Sequence, residues 1–299
     1  MSVADAFQRA IALAREPKLL CIVGPTASGK TDLALEVCEA VSGEVISADS
    51  VQIYRGFDIG SGKPTAEELT RAPHRLLDAV DPMAPIDAAS WARLAEQAIA
   101  DVRARGKVPI VCGGTFFWVR ALVLGLVEAP GGDVRIRERH RALAEAEGRA
   151  ALHAELAKVD AVSAGRLHPN DLVRVSRALE VFELSGRMMS ALHAEHGFRG
   201  RRHEATMIGL AHDTDQLTAR IAARVERWLA AGWLAEVKGL IDAGFGDTRP
   251  MGSVGYAELR AHVRGELPEA ALAATIVRAT RTFAKRQRTW LQHANVEWL

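Results

Sequence analysis

Eight residues, Gly24-Pro25-Thr26-Ala27-Ser28-Gly29-Lys30-Thr31, fit the spacing G-x-x-x-x-G-K-[ST]. The residue types suit the grip of a phosphate. Glycines let the backbone wrap an anion so that successive N–H groups point inward. A helix opening at Lys30 adds its positive end. Lys30 supplies a mobile cation, and Thr31 supplies a hydroxyl that can ligate a Mg²⁺ ion shielding the phosphates. This is the signature of ATP-binding and other nucleotide-binding loops. It establishes phosphate binding and leaves the phosphate compound open, ATP included. A carboxylate, Asp49, follows in Ile46-Ser47-Ala48-Asp49-Ser50. Beside a bound phosphate it could accept a proton from an attacking nucleophile. The alternative for Asp49 is a turn or helix-capping residue.

The elements that must position these groups can be read from periodicity. Residues 18–23 are an apolar run leading into the loop, which predicts a buried strand. Residues 31–41 read as a helix and 44–47 as a second strand. Residues 76–80 are a candidate third strand. Residues 90–105 form an amphipathic helix with Ser90 as its expected N-cap. Residues 108–112 form a further strand closed by Gly113-Gly114. From 133 to about 196 only helical sequence follows, broken near Gly148, Pro169 and Gly186. Strand character returns at 205–210, and helical sequence covers 214–243 and 268–291. The expected fold is α/β: a P-loop NTPase-like parallel sheet flanked by helices, with an all-helical insertion domain. Its expected core is 1–130 with 198–299, and its insertion 131–197. In such a sheet the carboxyl ends of neighbouring strands share one crevice, so Asp49 should face the phosphate loop. The strand at 108–112 ends in Gly113-Gly114-Thr115 rather than a metal-holding acid, which argues against a motor or a GTPase. A group transferase of the P-loop kinase type remains, its acceptor unspecified.

The formal net charge of +1 over 299 residues argues against binding nucleic acid by bulk charge alone. The charges are nevertheless segregated. Arg135, Arg137, Arg139 and Arg141 form one cluster, and Arg199, Arg201, Arg202 and His203 a second. Arg278, Arg281, Lys285, Arg286 and Arg288 form a third. Each could be a solvated face; together they favour a polyanionic partner. The three cysteines, Cys21, Cys38 and Cys112, have no C-x-x-C spacing and read as buried free thiols in a reducing compartment. Residues 1–15 read as an amphipathic helix without a signal-peptide core, and no run is long enough to span a membrane. A cytoplasmic monomer is expected.

Longer stretches resemble one family. Asp49-Ser50-Val51-Gln52-Ile53-Tyr54-Arg55-Gly56-Phe57-Asp58-Ile59-Gly60 with Lys63-Pro64 is similar to the signature of tRNA dimethylallyltransferases of the bacterial IPP transferase type. So are Pro73-His74-Arg75-Leu76-Leu77-Asp78, Asp81-Pro82, Gly113-Gly114-Thr115, and His168-Pro169-Asn170-Asp171. Residues 174–180 and 252–256, Ala284-Lys285-Arg286-Gln287 and Thr289-Trp290 continue the match in family order. The resemblance implies transfer of the five-carbon group of dimethylallyl diphosphate to the exocyclic amine of the adenosine just 3′ of the anticodon, position 37, with release of diphosphate. Residues 24–31 would then hold the donor's diphosphate together with Arg224, with Mg²⁺ as cofactor at Thr31. Lys30, Thr31 and Asp49 would be the catalytic residues, and Asp49 would take the amine proton. The acceptor base would be flipped out of the anticodon loop and held by Asp49, Ser50, Val51 and Gln52, with the Gln52 amide offering hydrogen bonds. Further tRNA contacts are implied for Thr115 and Arg135, for Arg174, Val175, Ser176, Arg177 and Ala178, and for Met251, Gly252, Ser253, Val254, Gly255 and Tyr256.

The chain departs from the family pattern in places. Ser61-Gly62-Lys63-Pro64 stands where Thr-Ala-Lys-Pro is usual, Ser253 replaces a cysteine, and the linker before Arg135 is short. No zinc-finger extension follows Trp290. His74 reads as a structural hydrogen-bonding histidine. Phe116, Phe117 and Trp118 could line a prenyl channel or fill the core, whereas Trp228 and Trp233 read as packing residues. Two other functions stay open on the residues alone: a small-metabolite kinase using ATP, and an RNA-binding module that keeps the loop for structure.

Overall fold

Leu19–Val23 is five apolar residues without alternation, the pattern of a strand covered on both faces, and every one of them is buried. In the computed structural model, which describes residues 3–197, 202–292 and 294–299, this run is β1 of a six-stranded sheet. The other strands are β2 (Gly43–Ser47), β3 (His74–Arg75), β4 (Val108–Gly113), β5 (Ala205–Gly209) and β6 (Val296–Trp298). Their spatial order is β3-β2-β4-β1-β5-β6, and every pairing is parallel. Register sets the strand ends side by side: Val23 is level with Gly113, and Ser47 with Cys112. The segments that follow β1, β2 and β4 therefore emerge at one edge.

The chain divides into two compact units, Met1–Val123 with His203–Leu299, and Leu124–Arg202. In the first, α1 (Val3–Ala14), α2 (Lys30–Val41), α3 (Ala66–Arg71), α4 (Ala88–Ala104) and most of α5 (Phe116–Leu124) belong to the amino-terminal half. The second unit holds α6 (Val134–Ala146), α7 (Arg149–Val159), α8 (Ala161–Arg166), α9 (Leu172–Ser185) and α10 (Met189–His196). The chain then returns to the first unit through α11 (Thr214–Ala230), α12 (Trp233–Asp242), α13 (Tyr256–Val263) and α14 (Glu269–Gln292). Leu20, Ile22, Leu33, Val37, Val45, Ile110 and Ile208 build the core beneath the sheet's shared edge. None of the helices in the described residues is long and apolar enough to cross a membrane.

Several expectations are corrected. Residues 76–80 are not a ladder strand: Leu76 and Asp78 take left-handed backbone angles, φ 64° and 53°. Pairing with β2 is made by His74 and Arg75 instead, and Val80 forms only an isolated bridge to Tyr54. The N-cap of α4 is Asp87, whose carboxylate accepts from Ser90 N at 2.8 Å, so Ser90 lies inside the helix. The helical run at 214–243 breaks at Gly232, φ 97°, which separates α11 from α12. Helix α3 went unread, although Thr65 and Glu68 form a capping box legible as T-x-x-E.

In the second unit, Leu152, Leu156, Val175, Ala178 and Leu179 form the core. The fully buried Glu180 carboxylate accepts from Asp133 N at 2.7 Å and from Arg137 and Arg177. Burial pushes its pKa up, but these donors outweigh it and hold it below the usual range. Arg139 pairs with Glu183. Two arginines of the first basic cluster are thus partly neutralised, while Arg135 is exposed. Of the second cluster, Arg199 and Arg201 lie outside the described residues.

Glu44 ties the opposite edge of the sheet together. Its carboxylate is fully buried between Arg75 at 2.8 Å, Arg105 at 2.7 Å and Lys107 at 3.0 Å. Burial pushes its pKa up, but the three cations overcome this and hold it at about 2. The folded pKa lies below the ordinary 4.5, so the interaction stabilises the protein above that value and is lost as pH falls toward 2. Glu44→Gln should cost about 1–2 kcal/mol at neutral pH, because the buried carboxylate loses its charge-assisted bonds to three half-exposed cations. Urea unfolding from pH 7 down to pH 3 should show the gap from wild type narrowing.

Candidate active site

The phosphate loop is held partly by its own residues and partly from α11 and the segment before it. Its carbonyls are engaged by donors: Pro25 O accepts from Lys30 Nζ at 3.2 Å, Ala27 O from Arg220 Nε at 2.7 Å, and Ser28 O lies 2.6 Å from His212 Nε2. Ala27 and Gly29 take positive φ, 63° and 84°. The N–H groups of Ala27, Gly29, Lys30 and Thr31 have no protein partner among the described residues. Those unpaired amides at the start of α2 form an anion cradle. A side chain at Gly24 would crowd Ser28 Oγ, 2.8 Å from the position of its Cβ.

Arg224 reaches the cradle from α11. Its Nη1 donates to Thr26 Oγ1 at 3.2 Å, and its guanidinium lies 4.1 Å from the centre of the Trp228 ring. Burial lowers its pKa to about 10, so it stays charged at neutral pH. Burial also lowers the Lys30 pKa; nearby Arg224 adds to this, while Cys112 and Asp49 oppose it. Two cations desolvated side by side without a matching anion form a site that favours a polyanionic guest.

Asp49 follows β2 and faces the same cavity. Its Oδ1 accepts from Val51 N at 2.9 Å and Gln52 N at 3.2 Å, the turn geometry foreseen as its structural role. Its Oδ2 carries no hydrogen bond among the described residues. Gly113 lets β4 approach this turn so closely that any side chain there would overlap the Ala48 backbone. Thr115 N then donates to Ala48 O at 3.1 Å, and Thr115 Oγ1 accepts from Ser50 N at 3.1 Å.

A cavity of about 330 Å³ joins these parts. Thr26, Lys30, Thr31, Asp49 and Arg224 line its polar end, and Val51, Trp228, Trp233, Val254 and Phe283 its apolar wall. Trp233 is buried with one face against Gly60 and another against Gly255, where no Cβ would fit. It meets Trp228 edge-on at 5.3 Å and Tyr256 at 5.5 Å. Of the two roles left open for Phe116, Phe117 and Trp118, the core role holds for Trp118, and Trp228 and Trp233 add a cavity face to their packing. Trp118 stacks on Trp91 at 5.3 Å in the core, neither Phe116 nor Phe117 lines the cavity, and Trp228 and Trp233 do. His74 places Nδ1 2.9 Å from Ala72 O, a structural contact.

Of the remaining expected site residues, Ser50, Val51, Gln52, Thr115, Gly252, Ser253 and Val254 line this cavity. The Gln52 amide, expected to meet a base, is committed: Oε1 accepts from Ser47 Oγ at 3.0 Å, and Nε2 donates to Ser61 O and Gly62 O at 3.3 and 2.8 Å. The side chains of Met251 and Tyr256 are fully buried and anchor this segment by packing. Gly255 caps α13 at φ 90°. Arg135, Arg174, Val175, Ser176, Arg177 and Ala178 belong to the other unit. There Arg135 and Arg174 are exposed, Val175 and Ala178 are core, Ser176 lies 2.9 Å from His140 Nδ1, and Arg177 binds Glu180 and Pro130 O.

Other residues that build the site escaped the sequence reading. Glu236 accepts from Asp58 N, Ile59 N and the Tyr256 hydroxyl at 3.1, 2.7 and 2.6 Å, which holds the loop under Gly60. Lys63, quoted only as motif, donates to Tyr54 O, Asp58 and Asp78. A lone acid on a helix carries no signal for such long-range work.

A cradle after the central strand, an acid after β2 and an apolar wall between them define a P-loop α/β fold carrying a transferase-like site. The family model described as IPP transferase matches residues 52–294. The tRNA dimethylallyltransferase of Sorangium cellulosum is 62% identical over 94% of this chain and 90% of its own. That of Anaeromyxobacter dehalogenans is 49% identical over 94% of each chain. The crystal structure of full-length tRNA isopentenylpyrophosphate transferase from Bacillus halodurans superposes with TM-score 0.68 at 37% identity, covering 95% of this chain and 90% of that one. A eukaryotic dimethylallyltransferase, solved acting on tRNA, gives TM-score 0.78 at 26% identity, over 92% of this chain and 70% of that one. The chain belongs to the IPP transferase family.

The departure at Gly62 has a local reason. Its φ is 65°, and a Cβ would overlap Arg224 Nη2. Gly62→Ala should cost about 1–2 kcal/mol in backbone strain and push the guanidinium off the cradle. The affinity for inorganic diphosphate, measured by calorimetry, should fall about tenfold, in line with one lost charge-assisted hydrogen bond.

Proposed function

We propose that this chain transfers the dimethylallyl group of dimethylallyl diphosphate to the exocyclic amine of adenosine 37 in tRNA, releasing diphosphate. One observation carries the reading: the anion cradle, the Asp49 carboxylate and an aromatic wall open onto a single cavity. The names of the relatives support it, as does their coverage of nearly the whole chain.

The donor's diphosphate sits on the unpaired N–H groups of Ala27, Gly29, Lys30 and Thr31, with Lys30 and Arg224 on its charged oxygens. Its five-carbon tail lies against Trp228, Trp233 and Phe283. The adenine amine attacks the first carbon of the tail as the carbon–oxygen bond breaks, and the electron pair leaves with diphosphate. Charge grows on that leaving oxygen, so fixed cations already in place lower the barrier without reorganising. Asp49 Oδ2 takes the amine proton. The aromatic amine is a poor nucleophile, so placement contributes as much as basicity. The base must leave its stack to enter the cavity. Gln52 can offer its amide to it only by exchanging its bonds to Ser61 and Gly62.

Magnesium fits the donor set. The Thr31 hydroxyl stands at the cavity, and among the described residues no cluster of acids, histidines and cysteines forms a cage. Mg²⁺ is usually held by one or two protein oxygens, substrate phosphates and water. When bound it would help neutralise the departing diphosphate. We infer further that the prenyl donor rather than ATP fills the loop, that Arg135 and Arg174 meet the tRNA, and that the enzyme works as a cytoplasmic monomer.

Purified protein, labelled dimethylallyl diphosphate, Mg²⁺ and unmodified tRNA should yield labelled tRNA with no ATP present. Phosphate transfer from ATP with no label in tRNA would instead indicate a kinase. Asp49→Ala should lower turnover by about 10²–10⁴-fold, the usual worth of a general base. Its tRNA affinity in filter binding should stay within about threefold, whereas equal loss of both would make Asp49 structural.

A further inference from the structure

Gln287 bridges the two halves of the catalytic cavity. It lies on α14, is only 8% exposed, and bonds at both ends of its amide. Oε1 accepts from Thr26 N at 2.9 Å, inside the phosphate loop. Nε2 donates to Gly114 O at 2.9 Å, in the turn that closes β4. The fit is close, because a Cβ at Gly114 would come within 2.5 Å of Nε2. From Gly114 the chain of bonds continues. Thr115 N donates to Ala48 O, and Thr115 Oγ1 accepts from Ser50 N, on either side of Asp49.

We propose that Gln287 is a positioning residue that fixes the phosphate loop relative to the Asp49 turn, and so sets the approach of the prenyl carbon to the acceptor amine. This rests on the transferase reading above. The two loops leave different strands, β1 and β2, and β4 separates them in the sheet. Backbone ladders fix the strands but not the loops beyond their ends. A single carboxamide, with one acceptor and one donor, supplies the crosslink. It binds the loop through Thr26 N and leaves the amides of Ala27, Gly29, Lys30 and Thr31 for the anion. Losing it should therefore spare binding of either substrate and harm their alignment. Misplacement of reacting groups by about 1 Å costs on the order of 10²-fold in rate.

The test combines two breaks of the bridge. Gln287→Leu removes both bonds at similar volume, and Gly114→Ala pushes the amide away while keeping it intact. Each should lower kcat about 30-fold and leave KM for dimethylallyl diphosphate and for tRNA within threefold. The double variant should be no slower than the worse single. Gln287→Glu keeps the acceptor for Thr26 N but sets oxygen against Gly114 O, and should behave like Gln287→Leu; it serves if the leucine variant fails to fold. Hydrogen exchange in Gln287→Leu should speed up in segments 24–31 and 48–52 together. A rise in KM at unchanged kcat, additive losses, or a lowered Tm with unchanged turnover would overturn the proposal. So would faster exchange confined to one segment. Wild-type protein that labels no tRNA would sink the transferase reading alone, since the exchange result still decides whether the bridge couples the loops.

Discussion

The site rests on how the carbonyls of the phosphate loop are engaged. A peptide unit that points its oxygen away from a centre points the next N–H toward it, and three donors occupy the loop's oxygens. Lys30 holds Pro25, Arg220 holds Ala27, and His212 stands against Ser28. Two of those donors lie almost two hundred residues beyond the loop, on and just before α11. The glycine loop therefore makes only part of its own cradle. It supplies a backbone able to take φ values of 63° and 84°, and the returning half of the chain fixes it there.

Charge follows the same division. Lys30 and Arg224 are both desolvated, and burial lowers the pKa of each. Such a pair is costly in the unliganded protein and is repaid by a guest bearing several negative charges. Elsewhere the chain pairs its buried charges with care. Glu44 and Glu180 are each enclosed by cations. The contrast separates cations kept for structure from cations held in reserve for a ligand.

The aromatic wall shows how packing and function share residues. Trp233 needs glycine on two sides, at Gly60 and Gly255, to enter the interior. Having entered, it shapes the cavity and braces Tyr256, whose hydroxyl leads through Glu236 to the loop at Asp58 and Ile59. Residues 252–256 are thus a mixed segment. Gly252, Ser253 and Val254 face the cavity, while Met251 and Tyr256 hold the segment in place.

The phosphate loop, the parallel sheet and the place of Asp49 after β2 were all legible in the residues alone. All three depend on local patterns: glycine spacing, apolar runs, and the rule that parallel strands bring their carboxyl ends to one crevice. The sequence also marked the helical stretch after residue 133. It could not show that Trp228 and Trp233 line the cavity or decide between core and channel for Phe116 and Trp118, because an apolar helix position looks the same whether it faces core or ligand. Nor could it show that Gln52 is already bonded, or that Glu236 and Gln287 stitch distant loops together. Those contacts join residues 10, 178 and 261 positions apart. Only tertiary structure decides them, because side-chain partners at that separation are set by how the elements pack and not by their own sequence.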